Sequence, residues 1–362
     1  MSPRVALIAD DLTGALDAIV PFAARGLRTV VCCGNDPLRS LEGVEADAIG
    51  LVSGTRDGPP EVAEARAQSF GKAVARMQPE ILFRKIDSRM KGHPGLETRA
   101  TAEAADCEQA VVCPAIPDMG RVVRAGRLVG DGVAEPIDIV GRMGWAGASF
   151  PDCESASDLD RIAATLTPGT LAVGARGFSA AIARRFEDIS DNRREDWTGP
   201  VLVAVGSRDP ITRAQVDALA AEGMLVVPAP GGVIPELPED DLSTVVLAEG
   251  FAPLDPADAV RRFADSVASR LGARRHGLLV ATGGETAAAI LDRLGISRLT
   301  VLDEPCPGIV RVAPLDSGHR AMQIVTKSGG FGGPSALLDL VSAAGLLPVN
   351  PRAGSIWERK HG

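Results

Sequence analysis

The stretch Arg4-Val5-Ala6-Leu7-Ile8-Ala9-Asp10-Asp11-Leu12-Thr13-Gly14 decides the fold. A short apolar run ends on two carboxylates and gives way to an amphipathic stretch reaching Arg25, the order of a buried strand turning into a helix. The same grammar recurs outward from it. Strands are expected near Arg28–Cys33, Ala48–Val52, Ile81–Lys85, Ala110–Pro114 and Thr170–Gly174. Helical stretches fall near Pro60–Met77, Gly95–Ala105, Ser157–Leu166 and Ser179–Phe186. Short Val, Ile and Leu runs alternating with longer amphipathic stretches are the pattern of a parallel sheet covered by helices on both faces. A polar stretch, Asp188–Gly199, then precedes a fresh strand at Val201–Val205, and this shift is read as a domain boundary. Beyond it strands are expected near Leu225–Pro228, Thr244–Ala248, Leu278–Ala281, Leu299–Leu302 and Met322–Thr326. Helices are expected at Thr212–Ala221, Pro256–Leu271, Glu285–Leu294 and Pro334–Ala344, with a loop over Pro228–Pro238. The expected fold is therefore α/β: two doubly wound domains, residues 1–196 and 197–362, each a mainly parallel sheet flanked by helices, with the active site in the cleft between them.

Composition narrows the function. With 362 residues, 45% hydrophobic and 23% charged, the chain has material for two cores, and only the tail from Arg352 is expected to stay outside them. Aromatics are 3% with no Tyr and the formal net charge is -9, which argues against nucleic acid as a partner, since that affinity comes from basic surface and stacking rings. No apolar run approaches the roughly 18 residues of a membrane span. The six cysteines lack zinc-site spacing and read as small buried hydrophobes of a cytoplasmic protein. The sequence leaves open whether it forms a homo-oligomer.

Chemistry-bearing residues gather at expected strand ends, where open parallel sheets bind ligands. Asp10 and Asp11 follow the first strand: one carboxylate is a candidate base or metal contact, while the other has the plainer role of capping the helix. The loop Arg84-Lys85-Ile86-Asp87-Ser88-Arg89-Met90-Lys91-Gly92-His93 mixes cations with an acid and a hydroxyl, which suits an anionic polyhydroxy ligand. Gly54-Thr55-Arg56 and the turn Pro114–Arg121 end two further strands with an Arg each.

In the second half, Gly206-Ser207-Arg208-Asp209, Thr282-Gly283-Gly284-Glu285-Thr286 and Lys327-Ser328-Gly329-Gly330 each lie between a strand and a helix start. Backbone N–H groups there favour anions, and Gly lets a phosphate approach. Neither a Walker A motif nor a dinucleotide fingerprint is present. Of the histidines His93, His276, His319 and His361, none stands in a recognisable nucleophile arrangement, and His93 beside the cationic loop is the one placed for ligand contact.

These residues resemble the four-carbon acid sugar kinases. The resemblance rests on ADDLTGALD from Ala9, FRKIDSRMKGHPGLE from Phe83, PAIPDMGR from Pro114, VAVGSRDPITRAQ from Val203, LLVATGGETAAAIL from Leu278 and IVTKSGGFG from Ile324. It implies an N-terminal acid-sugar domain and a C-terminal nucleotide domain, ATP with Mg²⁺ as cofactors, and phosphorylation of a sugar-acid hydroxyl. Carried over, Ser207, Gly283, Gly284, Glu285, Thr286, Lys327, Gly329 and Gly330 would bind ATP. Arg56, Lys85, Asp87 and Ser88 would face the sugar acid, with Asp10 or Asp11 as base or Mg²⁺ contact; the remaining metal ligands are left unassigned. The family usually reads K-I-D-S-T-L-R-G-N where this chain has Lys85–His93, so the departures lie in the acid-binding half. Two other readings stand beside it: a non-catalytic sensor of nucleotide or sugar acid, and a dinucleotide-dependent oxidoreductase suggested by architecture alone.

Overall fold

The computed structural model describes residues 2–189, 200–236, 243–250, 255–273, 277–316, 318 and 322–343. The chain divides into two compact units, Met1–Asn192 and Arg193–Gly362. The expected boundary after residue 196 lies outside the described residues, as do the tail from Arg352 and His276, His319 and His361.

In the first unit β1 (Val5–Ala9) leads into α1 (Leu12–Ala23), followed by β2 (Thr29–Cys32), β3 (Ala48–Val52), α2 (Pro60–Met77), β4 (Ile81–Lys85), α3 (Pro94–Ala104) and β5 (Gln109–Cys113). A small antiparallel sheet, β6 (Arg121–Arg124), β7 (Arg127–Gly130) and β8 (Ile137–Asp138), interrupts the alternation. Then come α4 (Ile139–Met143), β9 (Ala148–Ser149), α5 (Ala156–Ala164), β10 (Thr170–Gly174) and α6 (Arg176–Ala183). The main sheet of this unit runs β2-β3-β1-β4-β10-β5-β9, every neighbouring pair parallel. Its central strands are buried along their length, which is why they read as unbroken apolar runs rather than alternating ones. The chain winds from β1 to β2 and back to β3, then crosses β1 to reach β4. The winding direction therefore reverses between β1 and β4, and the loops leaving these two strands stand where open α/β sheets bind ligands.

The second unit repeats the logic. It contains β11 (Val201–Val205), α7 (Pro210–Ala221), β12 (Leu225–Pro230), β13 (Thr244–Glu249), α8 (Pro256–Ala273), β14 (Leu278–Thr282) and α9 (Gly284–Arg293), then β15 (Arg298–Cys306), β16 (Ile309–Pro314), β17 (Gln323–Lys327) and α10 (Ala336–Ala343). Its strands run β12-β13-β11-β14-β17-β16-β15, parallel as far as β17 and antiparallel beyond it. Here the winding reverses between β11 and β14. Val203, Val205, Val245, Leu247, Val280 and Val325 from the strands pack with Leu219, Leu337 and Leu340 from the helices as a core. Among the described residues no helix is long and apolar enough to cross a membrane.

Three expectations are refined. The helix expected at Ser179–Phe186 starts earlier, at Arg176. The segment expected to loop from Pro228 continues as strand to Pro230, tolerated because β12 is an edge strand with an unpaired side for prolines. The hairpin partner β16 and the small sheet were not anticipated.

Candidate functional site

At the first reversal point the carboxylates after β1 meet the loop after β3. Asp11 caps α1, its Oδ1 accepting from Gly14 N at 2.8 Å and its Oδ2 from Thr13 Oγ1 at 2.9 Å. Arg56 forks onto both acids: Nε and Nη2 donate to Asp10 at 3.0 and 2.6 Å, and Nη1 donates to Asp11 at 2.7 Å. Thr55 N donates to Asp10 O at 3.0 Å, so the β3 loop is tied to the backbone of the acid pair as well. Burial disfavours the Arg56 cation, but the fields of Asp11 and Asp10 outweigh it and raise its pKa. Asp10 is buried whereas Asp11 keeps partial access to solvent.

The β4 loop closes the site. Lys85 is buried, its Nζ donating to Ile86 O at 3.0 Å, and a Cβ added to Gly14 would stand 3.3 Å from that nitrogen and 3.5 Å from Arg56 Nη2. Asp87 Oδ1 accepts from the backbone N–H groups of Arg89 at 2.9 Å and Lys91 at 3.3 Å, while its Oδ2 lies 3.9 Å from Arg56 Nη1. Burial alone pushes the Asp87 carboxyl up, yet Arg56, these N–H groups and Lys85 hold it below the ordinary carboxylate range. Ser88 Oγ accepts from Arg121 Nη1 at 2.7 Å. Asp10, Asp11, Arg56, Lys85, Asp87 and Ser88 thus form one neighbourhood. His93 stands at the N-terminus of α3 with its Nε2 bonded to Gly58 O at 2.8 Å, a loop-bracing contact rather than an open ligand group.

Beneath this layer lies a network the sequence did not disclose. Arg84, on the face of β4 opposite Lys85, is fully buried, and its Nη2 is 2.6 Å from Glu97 Oε1 in the first turn of α3. The angles do not make this contact a hydrogen bond, and none of the three guanidinium nitrogens has a hydrogen-bond partner among the described residues. Glu97 Oε1 also accepts from Thr55 Oγ1 at 2.5 Å, and Thr55 Oγ1 lies 2.8 Å from Ser53 Oγ. A buried acid therefore supports the loop that carries Arg56.

The second unit places its three turns together. Gly206 N donates to Thr282 O at 3.2 Å, and Gly283 N donates to Lys327 O at 2.9 Å. A Cβ on Gly206 would stand 2.7 Å from Thr286 Cβ, and one on Gly329 would collide with Ser207 Oγ, so these turns need glycine for close approach. Gly283 also has φ +90°, a conformation L side chains rarely adopt. Gly330 approaches Asp209, whose side chain caps α7. A cavity of 440 Å³ opens here, lined by Gly206, Arg208 and the Gly283–Thr286 turn on one side and by Pro256, Val260 and Phe263 on the other. Its polar side is the N-terminus of α9 and its far wall is apolar, matching a phosphate group next to a flat, weakly polar ring.

Lys327 takes a different place from the one expected. Its buried Nζ donates to Thr212 Oγ1 at 3.0 Å, Gly329 O at 2.9 Å and Ser328 O at 3.2 Å, which occupies all three ammonium protons inside the turn. Burial pushes its pKa down to about 8, against an opposing pull from Asp209. Thr212 Oγ1 in turn donates to Gly329 O at 2.8 Å, and Gln215 Nε2 donates to Gly333 O at 2.7 Å. Thr212, Gln215 and the wall around Phe263 were not singled out from sequence, and Arg208 stood only within the Gly206–Asp209 turn. Thr212 and Gln215 are one helical turn apart on α7, and that spacing toward a glycine-rich segment is the signal that was available.

Two family models match the chain, one within each unit. A sugar-binding N-terminal domain model matches residues 5–138 and a nucleotide-binding C-terminal domain model matches residues 235–337. A D-threonate kinase of Bordetella bronchiseptica is 30% identical over 94% of this chain and 97% of its own length. The chain belongs to the four-carbon acid sugar kinase family. Another member, a 3-oxo-tetronate kinase of Pseudomonas savastanoi pv. phaseolicola, is 25% identical over 94% of this chain and 98% of its own. The fold is shared with the Haemophilus influenzae protein HI1011 at TM-score 0.73 and 19% identity, covering 95% of this chain and all (100%) of that one.

Proposed function

We propose that this chain is an ATP-dependent kinase that phosphorylates a hydroxyl of a small sugar acid of the tetronate class. The observation that carries the reading is the cavity at the glycine turns after β11 and β14, where backbone donors and the α9 N-terminus face an apolar wall. The relatives' names, D-threonate kinase and 3-oxo-tetronate kinase, supply the acceptor class. In the first unit Asp10 is the candidate base for the acceptor hydroxyl, while Asp11 both caps α1 and bonds Arg56. Lys85, Asp87 and Ser88 supply donors and acceptors for neighbouring hydroxyls. The Mg²⁺ of this reading is the ion that accompanies the nucleotide. When bound, that ion neutralises charge on the phosphates and needs only one or two carboxylates from the protein.

An ADP-release assay across four- and five-carbon sugar acids tests the reading. A threonate, erythronate or oxo-tetronate should be turned over, with little ADP formed in the absence of acid. Tight binding of nucleotide and acid with no ADP from any of them would replace the kinase reading with that of a sensor.

Lys327 adds a pH signature. Its pKa in the folded chain, about 8, lies below the ordinary 10.5, so between these values the unfolded chain binds more protons than the folded one. Stability on this account rises with pH across that window, because deprotonation relieves the buried charge. Nucleotide affinity should move oppositely and fall as pH climbs through 8, since the turn loses a cation and one of its three donors. Titrating nucleotide into wild type and Lys327→Met at a series of pH values checks this. An equal slope in both proteins would show that the residue is not the titrating group.

A further inference from the structure

Arg56 offers little to an incoming carboxylate. Three of its five N–H groups are committed to Asp10 and Asp11, and those two carboxylates already answer its charge. Arg121 differs. It opens β6 just after the left-handed Gly120, and its Nε donates to Asp131 O at 2.8 Å while Nη1 donates to Ser88 Oγ at 2.7 Å. Among the described residues Nη2 has no acceptor and no ion pair reaches this guanidinium. Arg89 follows Ser88 directly; its backbone N–H is pinned by Asp87, and its exposed side chain likewise has no ion pair among the described residues. Burial, and then the field of Arg89, push the Arg121 pKa down, so the two cations feel one another across Ser88. The acids facing Arg121 are Asp87 and Asp131. Asp87 is committed to the N–H groups of Arg89 and Lys91 and to Arg56, and Asp131 meets Arg121 through its backbone carbonyl.

Two guanidiniums that share the surroundings of Ser88 and have no ion pair among the described residues suit an anion. We propose that the carboxylate of the acceptor acid is held by Arg121 and Arg89 beside Ser88, and that Arg56 is a positioning residue for Asp10 and Asp11 rather than the carboxylate clamp. This rests on the reading of the first unit as the acid-binding one. It makes the Arg121–Arg89 pair the element that separates an acid from the matching uncharged polyol.

The test is calorimetric binding of tetronates, of the corresponding tetritols and of ATP to the full chain and to Arg121→Met, Arg121→Lys, Arg89→Met and Arg56→Lys, with turnover measured in parallel. Arg89 is exposed, so its replacement should not disturb folding. Arg121→Met should weaken the acid by about tenfold to a hundredfold, the loss expected for a charge-assisted hydrogen bond, with ATP affinity retained. Arg121→Lys should recover part of that loss, Arg89→Met should weaken the acid severalfold, and the preference for tetronate over tetritol should shrink in each. Arg56→Lys should lower kcat while leaving acid affinity near that of wild type. Undiminished acid binding in both Arg121→Met and Arg89→Met, with wild-type turnover intact, overturns the anion site and leaves the kinase reading standing. Acid binding that is lost in these variants, in a wild type that forms no ADP, sustains the anion site and overturns the kinase reading. Failure of the wild type to bind any acid overturns both.

Discussion

Replacing Asp10 by Asn is expected to lower kcat on the best sugar acid by about a hundredfold to ten-thousandfold, the range for losing a general base. Asn is nearly the size of Asp and still accepts a hydrogen bond, but it has neither the charge that anchors Arg56 nor the basicity to take a hydroxyl proton. Asp11 provides the internal control. Its carboxylate accepts from Gly14 N, Thr13 Oγ1 and Arg56 Nη1, so most of its capacity is spent on the start of α1 and on the arginine. Asn is as good a helix cap as Asp, so Asp11→Asn should retain its melting temperature and lose less rate than Asp10→Asn. Steady-state rates measured beside thermal melts separate the two roles. A wild-type rate in Asp10→Asn would remove this carboxylate from the chemistry and turn attention to Asp87 Oδ2, which has no hydrogen-bond partner among the described residues and lies 3.9 Å from Arg56.

The two parallel sheets were legible because burial on both faces leaves a strand nothing to do but be apolar: Val5–Ala9, Ala48–Val52, Val201–Val205 and Leu278–Thr282 announce themselves as such runs. The turns that follow them were legible for a related reason, since glycines and charges placed after an apolar run have few other uses. The small sheet over β6–β8 gave no such signal. Its strands have four, four and two residues, and β6 and β7 carry Arg at their ends, too short and too charged for a period to show. β16 was hidden because its buried Arg311 breaks an otherwise apolar run, and that arginine is answered by Asp303 on β15 only once the hairpin forms.

What the sequence offered at the candidate site was a set of residues without their wiring. Asp10, Asp11, Arg56, Lys85, Asp87 and Ser88 could be named from strand ends, yet nothing in one dimension says that Arg56 is consumed by the acid pair while Arg121 keeps a free face. That distinction depends on which side chains the β3 and β5 loops bring within reach of Asp10 and Ser88, a tertiary fact. Lys327 makes the same point in the second unit. A lysine beside two glycines suggests a phosphate contact, whereas three internal acceptors make it the pin of the turn.

The buried pair below the site should carry the largest single stability effect. Glu97→Leu removes the only acid paired with Arg84 among the described residues, and the guanidinium is then left charged at 0% exposure. Breaking a buried pair from one side costs about 3–5 kcal/mol, because the remaining ion keeps its desolvation penalty without its partner. The double variant Arg84→Met, Glu97→Leu removes both ions together, and apolar groups of similar volume should restore most of that stability, since the pair already leaves the arginine nitrogens without hydrogen bonds. Turnover should not recover in step with stability. Thr55 still loses the acceptor that holds its Oγ1, and the loop presenting Arg56 to Asp10 and Asp11 loses its support from α3. Urea unfolding of wild type and of the single and double variants, with kcat measured on each, tests both halves. A Glu97→Leu midpoint equal to wild type would show that Arg84 finds another partner, and full activity in the stabilised double variant would show that Glu97 supports the fold without positioning the site.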